Sequence, residues 1–211
     1  MKVTHKYGLS VTGKIPIGER FITKKGACVG DVVVLTKPIG IGIYTTAIDQ
    51  KVASKEQQEV VVTEMLKLNK DASLAMRHVQ THACTDVTGF GLLGHLCEIA
   101  ENSQVSIELD LQNIPYLQDV FSLLKEGASS EGMYNNLSTY KSKVHYTEGI
   151  TSEEELLLHD PQTSGGLLIV VPQDQVDELL AKLSKKDTSG YVIGRITEKT
   201  DVPILTKDSF L

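Results

Sequence analysis

The sequence has no tryptophan, and aromatic residues make up only 5% of its 211 positions. A core built from it must rest on Val, Ile, Leu and Ala, which suits helices packed on a sheet. Cysteine is scarce and odd in number: Cys28, Cys84 and Cys97, with no Cys-x-x-Cys pair. Those spacings support neither a disulfide framework nor a structural zinc site. The histidines show no metal-ligand spacing either, and reduced thiols in the cytoplasm are the simplest account. Positive charge is also short. The 27 acidic residues outweigh 21 basic ones, for a net charge of -6. A non-specific nucleic-acid binder needs a dense Lys/Arg surface, so that class is excluded. A nucleotide ligand is not, because a metal ion can neutralise its phosphates locally. No stretch is long and apolar enough to span a bilayer, and Met1–Ser10 has no apolar signal core.

What is present is ordinary for a globular domain, with 41% hydrophobic and 23% charged residues. Before Gly30, Leu9, Val11, Ile15 and Ile17 suggest short strand pieces broken at Gly13 and Gly18. Val32–Leu35 reads as a buried strand. Ile39–Ile43 alternates branched residues with glycine and reads as a loop or a strand. Helices are expected from about Lys55 to Lys70, with Val61, Met65 and Leu68 on one face, and from Ala72 to Val79. His82–Thr85 reads as a short strand, and a helix begins near Leu92. Val105–Leu109 alternates as a strand does, and Tyr116–Lys125 is read as a helix. The polar stretch from Gly127 to Ser142 reads as a long irregular excursion. A short helix at Ser152–Leu158, an internal strand at Leu167–Val171 and a helix at Gln173–Lys185 follow. Tyr191–Ile193 and Val202–Leu205 are the last strand candidates. Strands and helices alternate, so the expected fold class is α/β or α+β: a mixed β-sheet flanked by helices.

Two segments carry chemistry. In Thr85-Asp86-Val87-Thr88-Gly89-Phe90-Gly91-Leu92-Leu93-Gly94-His95, a carboxylate ends a strand, a hydroxyl and glycines follow, and a helix begins. Glycines let backbone N–H groups approach phosphate oxygens, and a helix N-terminus adds unpaired donors. Asp86 can hold Mg²⁺, which favours carboxylate and phosphate oxygens together. The segment is neither a Walker A motif nor GxGxxG. It equally fits a tight turn with Asp86 as a helix cap. The second segment, His159-Asp160-Pro161-Gln162-Thr163-Ser164-Gly165-Gly166, reads either as a ligand loop or as a structural turn re-entering a strand.

These segments, with Tyr7–Gly13 and Leu35–Gly42, carry a resemblance. Ala83–Ala100 and His159–Leu168 are similar to signature segments of the selenophosphate synthetases. That family belongs to a wider group with aminoimidazole ribonucleotide synthetase and a hydrogenase maturation factor. The resemblance implies a C-terminal synthetase-type domain over residues 30–211, preceded at 1–29 by a remnant of an N-terminal ATP-binding domain and its linker. It implies an enzyme that turns selenide, ATP and water into selenophosphate, AMP and phosphate with Mg²⁺. It assigns Asp86 to the metal and Thr88, Gly89, Phe90 and Gly91 to the nucleotide.

The family's nucleophilic Cys or selenocysteine, its partner Lys and most metal-binding aspartates lie in a segment with no counterpart here. None of the three cysteines stands at the nucleophile's place, so the isolated chain is expected to be inactive. A non-catalytic, free-standing nucleotide-binding or partner-dependent domain is the alternative. Family dimers form mainly through the N-terminal domain, so this chain is expected to be monomeric or to associate through an exposed apolar patch. The family usually has an Arg-Asn pair after the glycine near 132. Here Asn135-Asn136 removes that positive charge and the contact it would make with phosphate. His95, after the glycines, is either ligand-facing or a packing residue.

Overall fold

A computed structural model describes residues 8, 10–15 and 21–208. These form a seven-stranded mixed sheet with helices on both faces. The strands are β1 (Val32–Leu35), β2 (Ala83–Asp86), β3 (Ser106–Asp110), β4 (Val144–His145), β5 (Leu167–Val171), β6 (Tyr191–Thr197) and β7 (Ile204–Lys207). The helices are α1 (Ile41–Asp49), α2 (Lys55–Leu66), α3 (Lys70–Met76), α4 (Gly91–Ser103), α5 (Val120–Lys125), α6 (Glu131–Tyr140), α7 (Ser152–Leu158) and α8 (Val176–Ser184). The strand order is β2-β5-β1-β6-β3-β7-β4. The pairs β3–β7 and β7–β4 are parallel, and the others are antiparallel.

Two of the five internal strands, β1 and β5, are buried along their whole length. Their continuous apolar runs reflect cover on both faces. Val33, Leu35, Leu168 and Val170 point into a larger core with α1, α4, α5 and α7. Val32, Val34, Ile169 and Val171 point the other way, against Ala72 and Ala75 of α3 and Val176, Leu179 and Leu183 of α8. Helix α4 lies in the larger core and is buried nearly all round, from Leu92 to Ala100.

Several expectations meet corrections. Ile39 makes only an isolated bridge to Tyr116, and Ile41 already opens a helix. The helix expected over 55–70 ends at Leu66, because Lys67 turns to an extended conformation, and α3 starts at Lys70. Leu68 lies outside that helical face and is exposed. The first residues of the expected 116–125 helix form a turn, and Asp119 at φ 64° precedes α5. The stretch expected to be irregular holds α6. Ser130 caps it by accepting from the Met133 N–H, and Met133, Leu137 and Tyr140 share one face. Leu9 and Ile17 lie outside the described residues, whereas Val11 and Ile15 are exposed and in no strand.

Strand β6 runs past Gly194 to Thr197, where a stop was expected after Ile193. A Cβ on Gly194 would overlap the Glu108 carbonyl oxygen of β3, so the glycine marks a close backbone approach. The pairing with β1 also shifts register between Val33 and Val34. Gly194→Ala is expected to destabilise the fold by about 1–3 kcal/mol in urea denaturation. An unchanged midpoint would show that the β3–β6 pair can move apart at no cost.

Candidate functional site

The antiparallel neighbours β2, β5 and β1 bring three distant segments to one edge of the sheet. Asp86 ends β2 opposite Leu167, which starts β5, and Leu35 ends β1 opposite Leu168. The Val87 N–H donates to the Gly166 carbonyl at 2.9 Å. Thr36 N–H donates to the Leu167 carbonyl at 3.1 Å, and the Leu167 N–H donates back to Thr36 Oγ1 at 2.8 Å. A Cβ on Gly165 would overlap the Val87 carbonyl oxygen, so the segments pack backbone to backbone.

The segment His159–Gly166 is a structural cap. The first turn of any helix has N–H groups with no intrahelical acceptor. Here the Gly40 and Ile41 amides both donate to Gln162 Oε1 at 3.2 Å, and the Gly42 amide donates to Asp160 Oδ2 at 2.9 Å. Gln162 Nε2 donates to the same Asp160 oxygen at 2.9 Å. A Cβ on Gly42 would overlap Asp160 Oδ1, which explains the glycine in the first turn of α1. Lys37 is buried just upstream, and its Nζ donates to the Lys67 carbonyl at 2.6 Å and the Ser164 carbonyl at 2.7 Å. Burial lowers its pKa, against the nearby Glu64 charge.

Burial pushes the Asp160 carboxyl up to about 7, while Gln162 and the amides of Gly42 and Ile43 pull it down. Its Oδ1 has no hydrogen-bond partner among the described residues. Burial also holds His159 down at about 4, helped by the Lys141 charge. Its Nε2 pairs with the Tyr146 hydroxyl at 2.8 Å.

The glycine segment divides into an inner and an outer part. Gly91 has φ +67°, and a Cβ there would lie 2.9 Å from the His159 carbonyl group. Its N–H donates to the Thr88 carbonyl at 3.1 Å, and the same oxygen accepts from the Gln162 N–H at 3.0 Å. A Cβ on Gly94 would lie 2.7 Å from Phe90 and 2.8 Å from Tyr140. Gly91 and Gly94 are thus consumed by packing, and the head of α4 is covered by the 159–162 turn. Asn136, buried on α6, donates to the Gly89 carbonyl at 2.9 Å and the His159 carbonyl at 3.0 Å, tying both segments together. Asn135 beside it is exposed.

His95 is a packing and orienting residue. Its Nε2 accepts from the Thr88 N–H at 3.0 Å, and its Nδ1 lies 3.0 Å from Glu98 Oε2, which also takes Lys24 Nζ at 2.6 Å. Burial lowers its pKa against the opposing pull of Glu98. The neutral ring therefore carries its proton on Nδ1 and donates it to Glu98.

Asp86, Gly89 and Phe90 face outward. The Asp86 carboxylate makes no hydrogen bond or ion pair among the described residues. It borders a shallow cleft of about 410 Å³ with Asn69, Lys70 and Ser73. A Cβ on Gly89 would meet nothing within 4 Å. Phe90, half exposed, rests its ring against His95 at 5.5 Å and Tyr140 at 6.3 Å. The thiols of Cys84 and Cys97 are pushed up to about 12 by burial, so both are poor nucleophiles.

The model of the AIR synthase related protein, C-terminal domain, matches residues 29–205. The chain belongs to that family. Among curated relatives of this C-terminal AIR synthase type, the selenide, water dikinase of Clostridium botulinum strain Eklund 17B is 40% identical over 204 residues. That match covers 97% of this chain and 59% of the relative. The selenide, water dikinase of Caldanaerobacter subterraneus is 43% identical over 205 residues, covering 96% and 58%. The chain thus spans about three-fifths of the length of the curated relatives it matches. The same fold appears in thiamine-monophosphate kinase from Stenotrophomonas maltophilia, with a TM-score of 0.62 at 17% identity over 90% of this chain and 54% of that one. E. coli HypE, a hydrogenase maturation protein, gives 0.61 at 15% identity over 87% and 48%. The mixed sheet flanked by helices is therefore the AIR synthase type of C-terminal domain.

The inner and outer glycines should separate by stability. Gly91→Ala is expected to cost about 1–3 kcal/mol, through left-handed strain and overlap with the His159 backbone. Gly89→Ala should stay within about 0.5 kcal/mol of the parent. Equal costs in thermal unfolding would contradict the division.

The neighbours His159 and Asp160 act on stability in opposite senses. Asp160 is raised from 3.8 to about 7, so its contribution is present below about pH 4 and lost as pH rises to about 7. His159 is lowered from 6.5 to about 4, so its contribution is present above about pH 6.5 and lost as pH falls to about 4. Asp160→Asn removes the first dependence only. Relative to the parent, its stability should climb with pH between these limits by up to about 1.4 kcal/mol per unit. Parallel pH profiles for the two proteins would refute the raised carboxyl.

Proposed function

We propose that this chain is the C-terminal part of a selenophosphate synthetase, which makes selenophosphate, AMP and phosphate from selenide, ATP and water. In this reading residues 1–29 belong to the end and linker of an N-terminal ATP-binding domain, and residues 30–211 are the C-terminal domain. The observation that carries the reading is the outer edge at Asp86–Phe90. A carboxylate with open lone pairs stands beside an exposed glycine with nothing over it, on a backbone fixed from behind by His95, Asn136 and Gln162.

Asp86 offers the hard oxygen that Mg²⁺ prefers, and one or two carboxylates plus phosphate oxygens are its usual set. The residues fit that ion. Bound there, Mg²⁺ would draw charge from the nucleotide phosphates. Thr88, Gly89 and Phe90 form the edge that meets the nucleotide: Gly89 permits close approach and Phe90 supplies an apolar face, while Gly91, expected there too, is buried against the His159 backbone and sets the turn behind them. The rigidity of this edge suits transition-state stabilisation, since its groups need no reordering during reaction. The nucleophile is not among these residues. Cys97 and Cys84 are suppressed by burial, and Cys28 lies beyond the opposite end of β2. In this reading the isolated chain does not form selenophosphate by itself.

Calorimetric titration of the purified chain with ATP and Mg²⁺ tests the reading. Saturable binding is expected, and it should vanish in Asp86→Asn while the variant unfolds at the parent's temperature. Undiminished binding by Asp86→Asn would remove Asp86 from the metal role. No binding by either form would overturn a working half-site in this chain and make the edge one that assembles only with the N-terminal domain.

A further inference from the structure

Cys28 and Asp31 are close in sequence and His82 lies 51 residues beyond Asp31, yet the ligand atoms of all three lie within 4.8 Å of one another. Cys28 and Asp31 sit on the tight turn before β1, closed by the Asp31 N–H donating to the Cys28 carbonyl at 3.0 Å. His82 stands immediately before β2, with its backbone N–H paired to the Val170 carbonyl at 2.8 Å. Asp31 is 3% exposed, and its Oδ2 meets His82 Nδ1 at 2.8 Å. Cys28 is exposed, with its thiol 3.5 Å from the Gly26 carbonyl.

We propose that Cys28, Asp31 and His82 bind one divalent cation of the zinc class, with water completing the shell on the exposed side. The donor set decides the class. One sulfur, one imidazole nitrogen and one carboxylate oxygen suit Zn²⁺ and disfavour Mg²⁺, which takes oxygen almost alone. At Zn–S of about 2.3 Å and Zn–N and Zn–O of about 2.0–2.2 Å, tetrahedral ligand atoms stand roughly 3.3–3.7 Å apart. Asp31 and His82 would open slightly from their hydrogen-bond distance as the cation replaces the proton between them. The exposed Cys28 side chain would swing inward. His82 also has an outer partner: its Nε2 lies 3.0 Å from the Gln80 side-chain amide, which can turn to present its oxygen to the ring N–H.

The cation would bind the segment before β1 to the start of β2. That segment already runs along the outer side of β2, where the Cys84 N–H donates to the Thr23 carbonyl at 2.9 Å. The site needs nothing from the proposed synthetase activity and stands or falls apart from it.

The test uses the whole chain, reduced and stripped with a chelator. Co²⁺ serves as the spectroscopic probe, and Zn²⁺ is then titrated against a chromogenic chelator. One ion per chain is expected, with a thiolate-to-cobalt charge-transfer band that Zn²⁺ abolishes and a Zn²⁺-dependent rise in Tm. Cys28→Ser should lose the band and weaken Zn²⁺ binding by more than the roughly 10–100-fold that loss of an outer partner costs. Its metal-free Tm should match the parent's, because the thiol is exposed. Cys84→Ser should keep both band and affinity. No saturable binding by the parent, or a band that survives in Cys28→Ser, would overturn the proposal.

Discussion

The first turn of α1 enters the core with its amides pointing inward, where no water can satisfy them. Everything at the motif edge follows from how that demand is met. Gln162 and Asp160 supply the acceptors, so the turn that carries them must sit against α1. With that turn fixed, its backbone becomes the wall against which Gly91 closes, and the Gln162 N–H holds the Thr88 carbonyl. Asn136 then reaches both segments at once. An unmet buried amide costs about 1–3 kcal/mol. The cap is therefore a strong determinant of where the glycine segment lies, although it touches none of the outward-facing atoms.

The two signature segments divide the labour unevenly. The His159–Gly166 segment is spent on internal bonds, and its carboxylate and imidazole are both buried. The Asp86–Gly91 segment is pinned from behind and left open in front. Gly91 and Gly94 are explained by atoms of this chain, but Gly89 is not: a side chain there would meet open space. Phe90, half exposed on its aromatic neighbours, is likewise not accounted for by burial. A fold that spends so many hydrogen bonds holding an edge with no internal purpose is presenting that edge to something else. One exposed carboxylate is a weak site for a hard cation by itself, so an ion held there would need further ligands from outside these residues.

Much of the fold was legible in the sequence because it obeys local rules. The apolar runs of β1 and β5, the capped α7 and the amphipathic α8 all stand where periodicity put them. The misreadings share a cause: the deciding partner lies far away in sequence. The helix at Ile41 is hidden because its cap comes from residues about 120 positions later, while its glycines look like a breaker. Gly194 looks like a strand end because the β3 backbone it accommodates is not visible locally. Helix α6 is obscured by its polar composition, and its Ser130 cap shows only in the structure. The family resemblance of the Asp86–Gly91 segment was readable. The relay from Lys24 through Glu98 and His95 to Thr88 was not, since only the fold brings Lys24 to α4.

Cysteine arithmetic shows the same limit more sharply. Spacing spoke against a zinc site, and it could not show that the fold brings a turn and a strand start, more than fifty residues apart, to one place. What matters is that β2 is an edge strand whose outer side is partly covered by the segment from Thr23 onward. An uncovered edge invites pairing with other chains, so holding that segment down has value of its own. The two ends of β2 then differ in chemistry. Asp86 offers a hard oxygen at one end, and His82, with Cys28 and Asp31, offers nitrogen and sulfur beyond the other. At about 3.3 Å per residue the ends are roughly 13 Å apart. Ligand softness would keep the two kinds of cation from exchanging places. A zinc-class ion would then hold the segment from Thr23 onward against β2, without competing for the exposed edge at Asp86.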